Sequence, residues 1–379
     1  MQIVADESIP YVREAFGSLG TIRLVSGREI APAHVRDADI LLTRSVTRVN
    51  AELLGASQVR FVGSATIGVD HVDLPYLRSR GIVFAYAPGS NANSVAEYVL
   101  AAILALEQKS FARRTLGVIG LGRIGTLVKA KAEALGMAVL ANDPPLERAG
   151  RSGLIALTKL LSLSDIVSCH VPLSTEGPDA TFHLLDHVKL SLMRPDAVLI
   201  NTARGPVVDN RALLSVLQKD RLGAAVLDVW EGEPEPDPRL LAAVTVGTPH
   251  IAGYSFDGKV NGTKLLYASA CAFLKYPQQW NPPALSSGSA HVRIDPTRTL
   301  DDFIAPLVAR SYDIRRDDAA LSALAKLSTP ERGKAFDRLR ATYPRRLEFM
   351  HTTVIVPAGH VEIRQALLTI GFTVQDSVL

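Results

Sequence analysis

Short apolar runs recur through the first ninety residues, at 2–5, 21–25, 39–43, 59–63 and 81–87, with helical or loop segments between them. That spacing predicts a small parallel sheet in an α/β domain. A turn-rich break follows at Pro88-Gly-Ser-Asn-Ala-Asn93. Ser94-Val-Ala-Glu97 then reads as a capping box opening a helix through Val95, Val99, Leu100, Ile103 and Leu106, which would link two domains. A second series of apolar runs lies at 116–120, 138–141, 165–169, 197–201, 223–228 and 244–246. Six strands with crossovers meet the requirement of a doubly wound dinucleotide fold. One more helix is predicted over 253–279, returning to the first domain, and Ser286-Ser-Gly-Ser289 reads as a linker. The last ninety residues change character: a helix at 300–310, helices rich in Arg and Lys, a strand at 352–356, a helix at 361–368 and a strand at 372–374. They carry no nucleotide motif and no catalytic cluster, and predict a small α/β domain that makes a symmetric dimer. The expected division is 1–92, 93–257, a returning helix and linker at 258–285, and 286–379.

Composition narrows the picture. A chain of 379 residues, 47% hydrophobic and 21% charged, is globular and long enough for two or three domains. A formal charge of +3 gives no case for nucleic acid. Cys169 and Cys271 are too few for a disulfide framework and fit a reducing compartment. Asp6 and Glu7 are unlike a signal peptide, and the apolar run 99–106 is far too short to span a bilayer. The expectation is a cytoplasmic protein with no membrane partner.

The sharpest local motif is Gly120-Leu-Gly-Arg-Ile-Gly125, an apolar strand running into G-x-G-x-x-G and then a helical pattern. Gly120 permits the turn, Gly122 lets the backbone approach a pyrophosphate, and Gly125 lets the helix pack close to the sheet. The N–H groups around Arg123 and Ile124 face the anion. Asp143 follows about twenty residues on, where a carboxylate accepts ribose hydroxyls and repels a 2′-phosphate, favouring NAD over NADP. Ligands of such sheets gather past the carboxyl ends of the strands. That rule selects Asp143, His170, Thr202 to Arg204, Asp228 to Glu233, and His250.

Arg204 presents a planar fork suited to a carboxylate and an adjacent carbonyl oxygen. An imidazole at His250 can take a hydroxyl proton, and a carboxylate at Glu233, if the two loops meet, fixes its tautomer and supports the imidazolium. Hydride would leave the same carbon for the nicotinamide while Arg204 holds the carboxylate. These are the parts of a 2-hydroxy acid dehydrogenase.

The chain resembles the D-isomer-specific 2-hydroxyacid dehydrogenases over about residues 40 to 275. The likeness is carried by the glycine motif, Asn201-Thr-Ala-Arg-Gly205, Glu233-Pro234 and Pro249-His250. A narrower likeness rests on Arg44-Ser-Val-Thr-Arg-Val-Asn50, Ser64-Ala-Thr-Ile-Gly-Val-Asp-His-Val-Asp73, Val208-Asp-Asn210, Asp228-Val-Trp-Glu-Gly-Glu-Pro-Glu235, His250-Ile-Ala-Gly-Tyr254 and Tyr312-Asp-Ile-Arg-Arg-Asp-Asp318. The resemblance implies a flavodoxin-like substrate (lid) domain, a Rossmann NAD domain and a C-terminal dimerisation domain that makes a homodimer. It implies Arg204, Glu233 and His250 as active-site residues. NAD would be held by Gly120, Gly122, Arg123, Ile124, Gly125, Asp143, Val171 (through its backbone), Thr202, Ala203, Arg204, Asp228 and Gly253. Ser45, Thr66 and Tyr254 would touch a small phosphorylated sugar acid. Another acid, such as 3-phosphoglycerate or glyoxylate, or an NAD-sensing protein without turnover, are the alternatives left open.

Other polar residues receive plainer readings. His183 and His187 are spaced i, i+4 on an expected surface helix, with no third ligand evident, so no metal is expected. His71 reads as a helix-start contact, Glu231 as a solvated side chain, and Arg345-Arg346 as a solvated face or dimer rim.

Overall fold

The computed structural model describes residues 1–106, 111–284, 290–295 and 297–376. They form two compact units, Met1–Asn91 with Ser255–Ser286, and Ala92–Tyr254 with Ser287–Leu379. The linker expected at Ser286 to Ser289 lies outside the described residues.

The first unit holds five parallel strands: β1 (Gln2–Asp6), β2 (Thr21–Val25), β3 (Ile40–Thr43), β4 (Phe61–Ser64) and β5 (Val83–Tyr86). Their order is β2-β1-β3-β4-β5, the flavodoxin-like arrangement. Side chains alternate across the sheet, and both faces are covered, as parallel sheets require. Ile3, Ala5, Leu42 and Phe61 pack with Leu266, Tyr267 and Ala270 of the helix Phe256–Leu274. Val4, Leu41 and Val62 face Val35, Leu54 and Leu77 on the other side.

In the second unit the strands are β6 (Thr115–Ile119), β7 (Ala138–Asn142), β8 (Ile166–Cys169), β9 (Val198–Asn201), β10 (Ala224–Leu227) and β11 (Val246–Gly247). All pair in parallel, in the order β11-β10-β9-β8-β6-β7. Leu154 adds a single parallel bridge to Ala141 outside β7. Counted as a vestigial strand, it restores the doubly wound 3-2-1-4-5-6 order with one extra strand at the far edge. The short loop after Asp143 is where that strand has shrunk.

A third, three-stranded parallel sheet joins β12 (Ala290–Arg293), β13 (Thr352–Val356) and β14 (Thr373–Asp376) in that order. The apolar pattern picked out β13 and β14 but missed β12. The C-terminal segment shares one core with the second unit: Ile304, Leu307, Val308, Phe349 and Val354 lie in the cluster that contains Val99, Ile103, Leu116 and Val118. The helix Ala92–Leu106 is at the centre of this core, which corrects the capping-box reading. Ser94 lies inside that helix, not at its cap, and its hydroxyl donates to Glu348 Oε1 at 2.8 Å. Glu97 accepts the Phe349 N–H at 3.0 Å and Asn93 Nδ2 at 2.9 Å. Burial and the neighbouring Glu348 push the Glu97 carboxyl up to about 8, against the pull of Lys131.

Candidate active site

The glycine motif turns as its spacing requires. Gly120 has φ of +88°, and Gly122 caps the helix Arg123–Ala134, placing Arg123 and Ile124 in its first turn. A Cβ on Gly125 would lie 2.0 Å from the Gly120 carbonyl oxygen, so the helix can approach only because none is there. A Cβ on Gly122 would meet no heavy atom within 4 Å. The backbone there faces open space at a helix N-terminus, and a pyrophosphate fits that cradle. Val171 packs its side chain beside Gly120. Asp143 accepts the Leu121 N–H through Oδ2 at 2.8 Å and the Leu146 N–H through Oδ1 at 3.0 Å. One carboxylate therefore caps the next helix and also holds the glycine turn.

Past β8, burial drives the His170 pKa down to about 3, so the ring is neutral. It sits 2.9 Å from Ser168 Oγ and 3.5 Å from Thr202 Oγ1. Past β9, the Asn201 side chain braces the turn that carries Thr202, Ala203 and Arg204. Its amide donates to the Arg204 carbonyl at 3.0 Å, and its oxygen accepts the Ala203 N–H at 3.0 Å. A Cβ on Gly205 would lie 2.1 Å from the Trp230 carbonyl. The Arg204 turn thus abuts the loop that bears Glu233.

Glu233 and His250, seventeen residues apart, do meet: Glu233 Oε2 lies 2.8 Å from His250 Nδ1. The other oxygen, Oε1, accepts the Trp230 N–H at 2.8 Å. Burial raises the Glu233 pKa, but the His250 charge and hydrogen bond, the Trp230 N–H and the nearby Arg340 outweigh it and hold the carboxyl below its ordinary value. His250 adopts φ of +57°, an unusual conformation for a non-glycine residue. Asp228 accounts for it. Its carbonyl accepts the His250 N–H at 2.7 Å. Its carboxylate accepts the Ile251 N–H at 2.7 Å, the Ala252 N–H at 2.9 Å and the Thr248 hydroxyl at 2.6 Å. Tyr98 extends this chain, 2.6 Å from Thr248 Oγ1. Asp228 is 1% exposed, and burial raises its pKa. Its carboxylate is engaged by the loop that presents His250. Gly253 follows directly, and Tyr254 packs edge-on against Tyr343 at 5.9 Å.

In the first unit, Ser45 is exposed just after β3, and Thr66 follows the neighbouring strand β4. Thr66 Oγ1 lies 2.7 Å from Ser64 Oγ, which lies 2.9 Å from His71 Nε2. His71 therefore joins a hydroxyl relay, and Asp73 is the residue that caps the helix Leu74–Ser79.

Three plain readings need correction. Arg346 is 8% exposed, donates to the Ala252 carbonyl and stacks 4.4 Å from the Tyr312 ring, so it is no solvated face. Glu231 is half-buried, bonded to His183 Nε2 at 2.6 Å and to the Asn210 N–H at 3.1 Å. His183 and His187 share no helix, because His183 has φ of +48° and the helix begins only at His187. Sequence reasoning also passed over Asn201 as a brace and the whole C-terminal contribution to this wall. No helix among the described residues is long and apolar enough to cross a membrane.

A dinucleotide cradle beside a carboxylate–imidazole pair and a strand-end arginine defines a class, the NAD-dependent dehydrogenases of 2-hydroxy acids. The family model described as the D-isomer specific 2-hydroxyacid dehydrogenase NAD binding domain matches residues 93–252, and a domain of unknown function matches residues 287–371. The D-lactate dehydrogenase of Aquifex aeolicus, solved with NAD and lactic acid, is similar with a TM-score of 0.63 and 27% identity, covering 73% of this chain and 96% of that one. The erythronate-4-phosphate dehydrogenase of Salinibacter ruber is 47% identical over 95% of this chain and 96% of its own length. That of Hahella chejuensis is 42% identical over 99% of this chain and 100% of its own. The chain belongs to the D-isomer specific 2-hydroxyacid dehydrogenases, in the branch of these erythronate-4-phosphate dehydrogenases.

Proposed function

We propose that the chain oxidises the 2-hydroxyl of 4-phospho-D-erythronate, giving 3-hydroxy-2-oxo-4-phosphobutanoate and NADH, a step of pyridoxine biosynthesis. The observation that carries the reading is the Glu233–His250 pair at 2.8 Å, in a chain similar over nearly its full length to relatives bearing that substrate's name. NAD bound along Gly120, Gly122, Arg123, Ile124, Gly125, Asp143, Val171, Thr202, Ala203, Arg204, Asp228 and Gly253 supplies the hydride acceptor.

The remaining work falls to side chains. With its Nδ1 proton held on Glu233, His250 offers the Nε2 lone pair to the substrate hydroxyl and accepts its proton. The imidazolium that forms is stabilised by the ionised Glu233. Arg204 receives the substrate carboxylate and stabilises charge at the reacting oxygen. Asp228 acts through the loop it braces, keeping His250 in its left-handed conformation. Ser45, Thr66 and Tyr254 contact the substrate. The test is NADH formation from purified 4-phospho-D-erythronate, abolished by His250→Ala; normal turnover by that variant would remove His250 from its role.

The chain works as a cytoplasmic homodimer in this reading. Met350, Val361 and Leu368 leave apolar side chains exposed on the C-terminal segment, at 56%, 72% and 44%, and Val361 and Leu368 are two helical turns apart in the helix Val361–Ile370. Light scattering on Val361→Asp reads this directly, as a shift to monomer mass.

A further inference from the structure

We propose that Arg340, from the C-terminal segment, is a substrate-binding residue that selects a phosphorylated acid, taking its second anionic group beside Tyr254; this rests on the function proposed above. The helix Thr329–Ala341 presents one face to the loops of the site, with Gly333, Phe336 and Arg340 falling at i, i+3 and i+7. At the first position a Cβ on Gly333 would come within 2.9 Å of Glu235 Cγ, two residues past Glu233. At the second, Phe336 is fully buried in the cluster that holds Trp230. At the third, the guanidinium carbon of Arg340 lies 5.6 Å from the centre of the Tyr254 ring. Arg340 is thus set at the wall formed by the Glu233 and Tyr254 loops. It is close enough to Glu233 and Asp228 for their charges to act on it.

Two features separate Arg340 from an ordinary helix-end cation. Arg338, in the same last turn, is exposed and already meets the helix dipole from solvent. Arg340 is instead half-buried, and its guanidinium is within hydrogen-bonding reach of the Tyr254 side chain. An anion with several acceptor oxygens is the group that guanidinium geometry suits. Arg204 is committed to the carboxylate beside the reacting carbon, so a second cation on the same wall fits an acid that carries a second anion. Lactate or glyoxylate has no such group.

The test compares kcat/KM for 4-phospho-D-erythronate and for unphosphorylated D-erythronate in the wild type, Arg340→Gln and Arg340→Lys. The expected result is a fall in the phosphorylated-to-unphosphorylated ratio of ~10- to 100-fold in Arg340→Gln, expressed mainly in KM, with partial recovery in Arg340→Lys. Competitive inhibition by inorganic phosphate should weaken in parallel. Equal losses on both substrates, with NADH binding intact, would overturn the proposal by making Arg340 a structural residue. If Arg340→Gln fails to fold, the ratio measured in Arg340→Lys decides, and a wild-type ratio there also overturns it. A wild type with no preference for the phosphorylated acid would defeat the proposed substrate instead. Phosphate inhibition that Arg340→Lys weakens would then still support the residue as an anion site, and unchanged inhibition would refute it.

Discussion

Replacing Glu233 with Gln changes one atom and reverses the logic of the pair. Both Glu233 oxygens accept hydrogen bonds at 2.8 Å, from the Trp230 N–H and from His250 Nδ1. A glutamine has one acceptor. If its oxygen keeps the Trp230 N–H, its amide group faces Nδ1 and forces the ring proton onto Nε2, the nitrogen that has to accept the substrate proton. If the amide turns over, two donors oppose each other at Trp230, which costs ~1–3 kcal/mol. In either arrangement the imidazolium loses its ionised partner, worth ~1.5–3 kcal/mol. The sum, ~2.5–6 kcal/mol, is a fall in kcat of roughly two to four orders of magnitude. Substrate KM should change little, because the carboxylate is held elsewhere. Steady-state NADH formation measures the rate, and nitrogen NMR of the imidazole measures the tautomer. A Gln variant within about threefold of wild type, in a background where His250→Ala is inactive, would refute the reasoning.

Two glycines of the same motif should behave oppositely. Gly122→Ala places its methyl in open space, so thermal stability should stay within ~0.5 kcal/mol while NAD affinity falls on the order of tenfold. Gly125→Ala drives its methyl into the Gly120 carbonyl and should cost ~1–3 kcal/mol of stability in calorimetry before any ligand is added. The buried Glu97 should also make stability depend on pH. Its folded carboxyl keeps its proton up to about 8 against an ordinary 4.5, so its contribution is full below 4.5 and is lost as pH rises through about 8. Glu97→Gln should flatten the decline of the thermal midpoint across that window, and an unchanged slope would discount the group.

How far the site could be read in advance follows from the range of its contacts. The glycine turn, the strand ends and the Glu233 loop sit in short local patterns, so apolar periodicity and spacing located them. The pairing of Glu233 with His250 followed from chemistry, since an acid and an imidazole at neighbouring strand ends have few better partners. Ser94 shows where such reading stops: its pattern with Glu97 is a good cap locally, but its true partner, Glu348, lies 254 residues away. Arg346 looked solvated because a pair of arginines usually is, and nothing nearby signals the Tyr312 ring that covers it. The bracing of the His250 loop by Asp228 was not legible, because it depends on backbone N–H groups that no sequence displays. Leu154 is a strand reduced to one bridge, too short for periodicity to register.

The C-terminal segment reaches the rest of its unit through Asp318 to the Gly247 N–H at 2.9 Å, Arg346 to Ala252, and Glu348 to Ser94. Trimming it away would strip the cover from Val99, Ile103 and Leu116 and unfasten the turn that presents His250. Grafted onto a shorter dehydrogenase, the same segment would find none of these anchors. The enzyme can therefore gain or lose this piece only together with the surfaces that receive it, which makes it a poor cassette for engineers and a costly deletion in any lineage.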